Sequence, residues 1–338
     1  MVGEFIMKTK GISLQTLCAP CNCHCRYCLL SWEKNPVGLP YEESEEFAQS
    51  FYDWIKTSRP ELEFNFSYGY SMDMPQMFRA IDFMNSIGSI GGKLMQFDGM
   101  RFREENEIIS LMHKLCEHGI EHLNFTFYGT RDYHNKFCGR SGDYEYMLSL
   151  IEATQKEGIE VSCGIPATHE NASQIDQLSE CLRECGVTQQ RLFVPHEEGR
   201  GATLANIRLS AEDLALLPST KKLLNTNVFK TEAEWCTSES YKQEENRLLI
   251  ISLTPENIKE YREMGFEALI AHVEKLDDAF YNSTPSFMEL AEKYGNPSST
   301  LLYSQRDMYN HFQRLYIKDH DLDIYDVTDE RYSGSRRY

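Results

Sequence analysis

The sequence lacks the features of a membrane or secreted protein. It has no apolar run of the roughly eighteen residues that a membrane-spanning helix requires. Its first residues, MVGEFIMKTK, contain no apolar stretch long enough for a signal peptide. Basic residues are also scarce, because 34 lysines and arginines stand against 52 acidic residues, for a net charge of −18. Such a charge repels phosphates, so we expect a cytoplasmic protein that binds neither membranes nor nucleic acids.

Cysteine, by contrast, is abundant and unevenly placed. Eleven cysteines occur in the chain, and five of them crowd into residues 18–28. A secreted disulfide framework would spread its cysteines along a small domain and carry an export signal. A tight cluster in a reducing compartment is typical of metal ligands instead. The composition therefore predicts a metal centre on this segment.

The spacing Cys21-x3-Cys25-x2-Cys28 narrows the kind of metal centre. Three thiolates on one short loop can hold three corners of an iron–sulfur cubane and leave the fourth iron open for another ligand. Zinc ligands and buried thiols are the alternatives, but a structural zinc site usually joins two separated cysteine pairs. We interpret Cys18 and Cys23 as loop residues outside the ligand set. The three-cysteine spacing favours chemistry at a cluster.

Strands and helices alternate along the first 200 residues. The predicted strands are residues 11–17, 61–67, 93–98, 122–128, 159–165 and 190–195. The predicted helices between them are residues 43–57, 75–85, 104–117, 143–157 and 171–184. This order indicates parallel βαβ units of an α/β protein. We predict a partial (β/α)6 barrel of the TIM type over residues 8–200, with its active site at the carboxyl ends of the strands.

The regular alternation of predicted strands and helices ends beyond residue 200. An apolar run predicts one further strand at residues 247–253, and helices are predicted at residues 211–217, 286–293 and 305–317. We predict a smaller mixed α/β C-terminal subdomain over residues 201–330 and a tail over residues 331–338.

The loop CNCHCRYC resembles the CxxxCxxC signature of the radical S-adenosylmethionine (SAM) superfamily, including the aromatic Tyr27 before the last cysteine. The resemblance implies a [4Fe–4S] cluster on Cys21, Cys25 and Cys28, with SAM at the open iron. It also implies reductive cleavage of SAM to a 5′-deoxyadenosyl radical that abstracts a hydrogen atom from the substrate. An external electron donor such as flavodoxin or ferredoxin belongs to this expectation.

Three further segments are similar to the SPASM-type branch, whose members modify peptides and natural products. They are FTFYGTRDYHNKFCGRSGDYEYML, VSCGIPATHENASQI and FVPHEEGRG, at residues 125–148, 161–175 and 193–201. The resemblance implies a peptide or a small natural product or metabolite as substrate. By position in the family pattern it also implies the residues that contact SAM, which are Tyr27, Gly69, Tyr70, Ser71, Thr126, Arg140 and Asn171.

The sequence departs from the family pattern in three places. The segment SYGYSMDMP stands where a Gly-Gly-Glu motif is usual, with Asp73 as an acidic substitute. Cys138 stands where an arginine is usual in the family. Either its thiol donates a hydrogen atom or carries an intermediate in catalysis, or Cys138 is a small residue without a chemical role. No cysteine follows Cys236, which predicts a single cluster without auxiliary clusters.

Two other classes of function remain open. A non-catalytic iron–sulfur binding or sensing protein would keep the barrel but not cleave SAM, and the altered glycine motif favours this alternative. A zinc-binding interaction protein would use the same cysteines for a different metal.

Overall fold

The computed structural model describes residues 7–16, 21–28, 39–68, 73–197, 199–237, 241–242 and 245–324. Cys18, the predicted tail and the predicted SAM-binding residues Gly69, Tyr70 and Ser71 lie outside the described residues. No helix in the described part of the chain is long and apolar enough to cross a membrane.

The alternation predicted from the sequence is present in the first 200 residues. Its strands are β1 (Lys8–Thr16), β2 (Glu63–Tyr68), β3 (Leu94–Gln96), β4 (His122–Thr126), β5 (Glu160–Pro166) and β6 (Gln189–Phe193). Its helices are α1 (Tyr41–Ser58), α2 (Met77–Ser86), α3 (Glu105–Glu117), α4 (Arg131–Cys138), α5 (Asp143–Lys156) and α6 (Ala172–Glu184). The predicted α/β class is therefore confirmed. Helix α4 is additional, and it inserts between β4 and the predicted helix that is now α5.

The later part of the chain contributes both helices and strands. Its elements are β7 (Phe229–Thr231), α7 (Glu232–Trp235), β8 (Asn246–Leu253), α8 (Ile258–Met264), α9 (Phe266–Ser283), α10 (Phe287–Tyr294), β9 (Leu302–Ser304) and α11 (Gln305–Asp319). The helix predicted at residues 211–217 is a 3-10 turn over Glu212–Leu216. Strands β7 and β9 form a small antiparallel pair.

The parallel strands form two sheets. One has the order β3-β4-β5-β6, and the other has the order β2-β1-β8. Within the described residues no strand pairing joins the two sheets. Strand β8 pairs in parallel with the whole of β1, from Lys8 beside Asn246 to Thr16 beside Leu253. The strand predicted in the C-terminal region therefore belongs to the same sheet as the first strand of the chain.

A shared hydrophobic core explains why β8 lies at this edge. Its run of apolar residues is typical of a parallel strand covered on both faces. Helix α9 follows β8 and packs on α1, where the ring of Phe266 stacks on that of Phe51 with centroids 4.7 Å apart. Full burial of a ring such as Phe51 stabilises the fold by about 2 kcal/mol. The β8–α9 unit is thus held to the first strands by core packing as well as by hydrogen bonds.

Candidate functional site

The cysteine loop, residues 21–28, follows β1 and lies at the carboxyl edge of the parallel strands. Backbone hydrogen bonds fix it on two sides. Asn22 N–H donates to Gly99 O (2.7 Å), His24 N–H to Cys138 O (2.7 Å) and Arg26 N–H to Phe137 O (3.0 Å). The first bond reaches the segment after β3, and the other two reach the end of α4. The loop is therefore held in one arrangement by elements that lie far from it in the sequence.

A glycine after α4 permits this close approach. Gly139 ends the helix with φ +67°, a left-handed conformation that favours glycine. A Cβ atom at this position would lie 3.0 Å from the Cβ of His24. The helix can therefore end against the loop only with a residue that has no side chain.

The segment after β6 closes the loop from its other end. Arg200 N–H donates to Cys28 O (3.2 Å), and the Arg200 guanidinium donates to His24 O (3.1 Å). Gly201 lies beside it, where a Cβ atom would approach the carbonyl oxygen of His196 to 2.2 Å. The Gly-Arg-Gly sequence at the end of the SPASM-like segment 193–201 is thus in direct contact with the cysteine loop.

The four described cysteines of the loop divide into two sets. Cys21, Cys25 and Cys28 are partly exposed, whereas Cys23 is 8% exposed. The Sγ atom of Cys25 lies 3.1 Å from the hydroxyl of Tyr128. The thiol of Cys23 contacts Asp143 behind the loop. The three thiols with access to the edge are those of the predicted cluster set, and thiolates are the usual ligands of a cubane.

Two observations favour metal binding at Cys21. A hydrogen bond from the Cys23 thiol lowers the pKa of Cys21 to about 7, which makes the thiolate accessible near neutral pH. Gly99 has φ +72°, and a Cβ atom at this position would lie 2.4 Å from Cys21 Sγ. Because Gly99 has no side chain, it leaves room for the thiol of Cys21.

Tyr27 lies among aromatic side chains beside the loop. Its ring centroid is 5.6 Å from that of Tyr128, 6.1 Å from that of Phe137 and 6.3 Å from that of Phe193. Burial raises the pKa of Tyr27 well above its usual value, and the nearby Cys25 adds to the effect. The phenol therefore stays neutral, and the aromatic rings form one wall beside the partly exposed thiol of Cys25.

Thr126 ends β4 and binds a carboxylate that the sequence analysis did not single out. Its backbone N–H donates to Asp98 Oδ1 (3.0 Å) and its hydroxyl to Asp98 Oδ2 (2.8 Å). The amide of Gln96 donates to Thr126 Oγ1 (2.9 Å) and to Asp98. Burial raises the pKa of Asp98 to about 6.

A feature of the sequence could have identified Asp98 as a candidate site residue. It is the polar last residue of the strand predicted at residues 93–98, and it comes directly before a glycine. Within the described ranges no lysine, arginine or histidine forms an ion pair with its carboxylate. The edge of the sheet thus carries a half-buried acid without a cationic partner among these residues, close to Cys21.

Asn171 is fully buried, and hydrogen bonds within the protein engage its side chain. The amide nitrogen donates to Tyr128 O (2.6 Å) and Pro166 O (2.8 Å). The amide oxygen accepts from the N–H (2.7 Å) and hydroxyl (3.1 Å) of Thr168. The side chain therefore joins the ends of β4 and β5, and in this arrangement no donor remains for SAM.

Arg140 is also engaged. Its guanidinium lies 3.6 Å from the ring centroid of Phe102 and donates to Met100 O (2.6 Å).

Asp73, the acidic substitute in the altered motif, accepts from Arg103 (2.7 Å) and from the amide of Asn22 (3.3 Å). Asp73 thus supports the cysteine loop from outside.

Cys138 is fully buried behind the loop. Its Sγ atom contacts the carbonyl oxygens of Asn135 (3.6 Å) and Arg140 (3.7 Å). Contact with the Cys23 side chain lowers the pKa of Cys138 to about 6. The thiol has no surface open to a substrate here, so a catalytic role for Cys138 would require the loop to move.

The structure brings together one group of the predicted site residues and separates another. Cys21, Cys25 and Cys28 lie at one edge with Tyr27 and Thr126. Arg140, Asn171 and Cys138 lie behind this edge, in contacts within the protein.

Comparisons with known proteins give only distant structural likenesses, and the solved structures described below have TM-scores under 0.5. No protein-family model matches the sequence, and no curated protein matches it. SuiB of Streptococcus suis bound to precursor peptide SuiA is 10% identical, with a TM-score of 0.49 over 77% of this chain and 52% of that chain. This chain therefore spans about half the length of SuiB.

Two other solved structures show similar levels of likeness. The protein anSMEcpe with bound AdoMet is 16% identical, with a TM-score of 0.42 over 61% of this chain and 57% of that chain. Coproporphyrinogen III oxidase (HemN) from Escherichia coli is 10% identical, with a TM-score of 0.42 over 93% of this chain and 92% of that chain. By its description HemN is a radical SAM enzyme, and this chain is similar to it in structure at that level.

Proposed function

We propose that this chain is a radical SAM enzyme that acts on a peptide or on a small natural product or metabolite. It holds a single [4Fe–4S] cluster on Cys21, Cys25 and Cys28. The observation that carries the proposal is the arrangement of the CxxxCxxC loop. The loop is fixed at the carboxyl edge of the parallel strands, with these three thiols partly exposed and Cys23 buried.

When bound, the cluster supplies an electron that splits SAM into methionine and a 5′-deoxyadenosyl radical. The residues of this chain position that chemistry. Gly99 leaves room for Cys21, and the backbone bonds of Asn22, His24 and Arg26 hold the loop before the cluster is assembled. The rings of Tyr27 and Tyr128 exclude water beside Cys25, which protects a radical from side reactions.

Asp98 and Thr126 are the residues that we assign to SAM on this edge. SAM carries positive charge on its sulfonium and its ammonium group, and a half-buried carboxylate without a cationic partner among the described residues suits such a ligand. Thr126 and Gln96 orient the carboxylate through hydrogen bonds. We assign to Asp98 the role of the acidic SAM contact that the family pattern suggested for Asp73, because Asp73 is paired with Arg103. Gly69, Tyr70 and Ser71 remain proposed contacts.

The substrate class rests on the resemblance of residues 125–201 to the SPASM-type branch. A flavodoxin or a ferredoxin would supply the electron in a cytoplasmic setting. A non-catalytic iron–sulfur protein is the second candidate, and the altered motif SYGYSMDMP favours it.

Iron content and SAM cleavage, measured on anaerobically purified and reconstituted protein, decide between these functions. We expect about four irons per chain, and dithionite should release 5′-deoxyadenosine from SAM. Both signals should vanish in a variant with Cys21→Ala, Cys25→Ala and Cys28→Ala. The matched control is a variant with Cys181→Ala, Cys185→Ala and Cys236→Ala, which loses as many thiols and should keep both signals.

Each other outcome argues against the proposal in a different way. A cluster that never releases 5′-deoxyadenosine would support the non-catalytic protein. Zinc in place of iron on Cys21, Cys25 and Cys28 would support a zinc-binding interaction protein. Loss of iron in the control variant as well would show that the loop cysteines are not the specific ligands.

A further inference from the structure

A second group of ligating side chains lies behind the cysteine loop. It consists of Cys23, Cys138 and Asp143, whose sulfur and carboxylate oxygen atoms all lie within 4.8 Å of one another. The Sγ atom of Cys23 is 3.9 Å from Asp143 Oδ2. All three residues are buried, at 8%, 0% and 4% exposure. We call these three residues the rear group.

The rear group joins three separate elements. Cys23 comes from the loop, Cys138 is the last residue of α4 and Asp143 is the first residue of α5. The hydrogen bond from His24 N–H to Cys138 O (2.7 Å) holds the loop strand against the helix end. The closeness of the two thiols thus follows from a fixed backbone contact.

The carboxylate of Asp143 is oriented by a histidine. His134 is fully buried, and its Nδ1 accepts the backbone N–H of Tyr128 (3.3 Å). Its proton therefore lies on Nε2, which donates to Asp143 Oδ2 (3.1 Å). Carboxylates that bind metals are commonly held by an outer hydrogen bond of this kind. The other oxygen, Oδ1, is buried, accepts no hydrogen bond of good geometry within the described residues and lies in an ion pair with Arg140.

The charge of the group also suits a divalent cation. Two thiolates and a carboxylate carry three negative charges, of which a divalent ion neutralises two. The guanidinium of Arg140 lies 3.2 Å from Asp143 Oδ1 and neutralises the third. A buried site with no net charge avoids the large desolvation cost of an unpaired ion.

We propose that Cys23, Cys138 and Asp143 bind a zinc ion that is separate from the iron–sulfur cluster. Zinc accepts thiolate and carboxylate ligands in a tetrahedral geometry. Its usual bond lengths place sulfur and oxygen ligands roughly 3.6 Å apart, close to the 3.9 Å between Cys23 and Asp143. The ion joins the loop to α4 and α5, so it holds the loop in shape before and after the cluster is assembled.

Metal analysis of the full chain tests this site. The protein is purified anaerobically from zinc-supplemented medium, and zinc and iron are measured together. The variant with Cys21→Ala, Cys25→Ala and Cys28→Ala should retain about one zinc per chain, because its rear group is intact. Adding Cys138→Ser to that variant should reduce zinc to background, whereas adding Cys181→Ser should leave it unchanged. Circular dichroism should show all of these variants folded.

Cobalt provides a second readout that does not depend on metal retained through purification. Titration of Co²⁺ into the metal-free variant with Cys21→Ala, Cys25→Ala and Cys28→Ala should produce a sulfur-to-cobalt charge-transfer band that saturates at about one equivalent. Cys138→Ser should halve the band, since one of two thiolates is lost, and Asp143→Asn should weaken Co²⁺ binding at least tenfold.

Two results would overturn the zinc site. One is the absence of stoichiometric zinc and of a cobalt band in a folded variant that lacks the three loop-edge cysteines. The other is equal zinc retention with and without Cys138→Ser. These readouts are independent of SAM cleavage, so a failed zinc site leaves the proposed enzyme function standing, and the reverse also holds.

Discussion

Arg208 and Asp307 form a buried ion pair that joins the chain after β6 to the first turn of α11. The guanidinium of Arg208 also lies 3.6 Å from the ring centroid of Tyr303 and donates to Leu302 O (2.8 Å). Asp307 accepts the backbone N–H of Glu197 (3.1 Å). Since Glu197 comes just before the Gly-Arg-Gly segment that contacts the cysteine loop, the pair links the C-terminal helix to the site.

Asp307→Asn should destabilise the protein by about 4 kcal/mol at neutral pH, because Arg208 would be left buried without its partner. Although burial opposes it, the charge of Arg208 and the nearby His196 hold the pKa of Asp307 well below its usual range. The stabilisation from the ionised carboxylate is therefore complete above the unfolded pKa of about 4 and is lost as the pH falls below it.

Urea unfolding of the wild type and Asp307→Asn at several pH values checks this prediction. The difference in free energy of unfolding should be constant near neutrality and should shrink below about pH 4. Asp319→Asn is the control, because Asp319 pairs with Lys293 at an exposed site and should matter far less. A constant difference down to pH 3 would contradict the assigned pKa direction.

Gly99→Ala should reduce iron binding. The substitution places a methyl group against Cys21 Sγ and also strains a backbone with φ +72°. Gly88→Ala is a matched control, because Gly88 has the same φ of +72° and no atom within 4 Å of the added Cβ. Iron content after reconstitution should fall severalfold in the first variant and stay at the wild-type level in the second. Equal iron content in both would show that the methyl group does not displace Cys21.

Asp98→Asn should weaken SAM binding. A charge-assisted hydrogen bond contributes about 1.5 to 3 kcal/mol, so the dissociation constant for SAM should rise roughly 10- to 100-fold. The measurement is calorimetric titration of SAM into the reconstituted protein. Asp82→Asn removes an exposed carboxylate that pairs with His118 and should leave the affinity unchanged. If Asp73→Asn lost affinity while Asp98→Asn did not, the acidic substitute in the altered motif would be the SAM ligand instead.

Asn171→Ala should destabilise the folded protein even in the absence of SAM. Two buried carbonyl groups, of Tyr128 and Pro166, would lose their donor, which costs about 3 kcal/mol in total. Thermal unfolding without SAM should show this loss. Asn171→Asp keeps the acceptor oxygens for Thr168 but loses the donor, and it should be similarly destabilised. Unchanged stability together with lost SAM binding would indicate that Asn171 contacts SAM directly.

Much of the fold could be predicted because parallel strands are marked by local apolar runs. The run at residues 247–253 predicted β8 correctly, but its place beside β1 depends on packing of α9 against α1. Helix α4 was missed because it has only eight residues and a polar sequence. Asp98 was missed because its significance depends on Thr126, a residue on another strand.

The sequence by itself determined the spacing of Cys21, Cys25 and Cys28 and the order of strands and helices, because both depend on neighbours along the chain. Only the tertiary structure decided that Cys23 is buried and contacts Asp143, 120 residues distant. It also decided that the Asn171 side chain is engaged between β4 and β5. Burial and hydrogen-bond partners arise from contacts between distant segments, and local spacing carries no record of them.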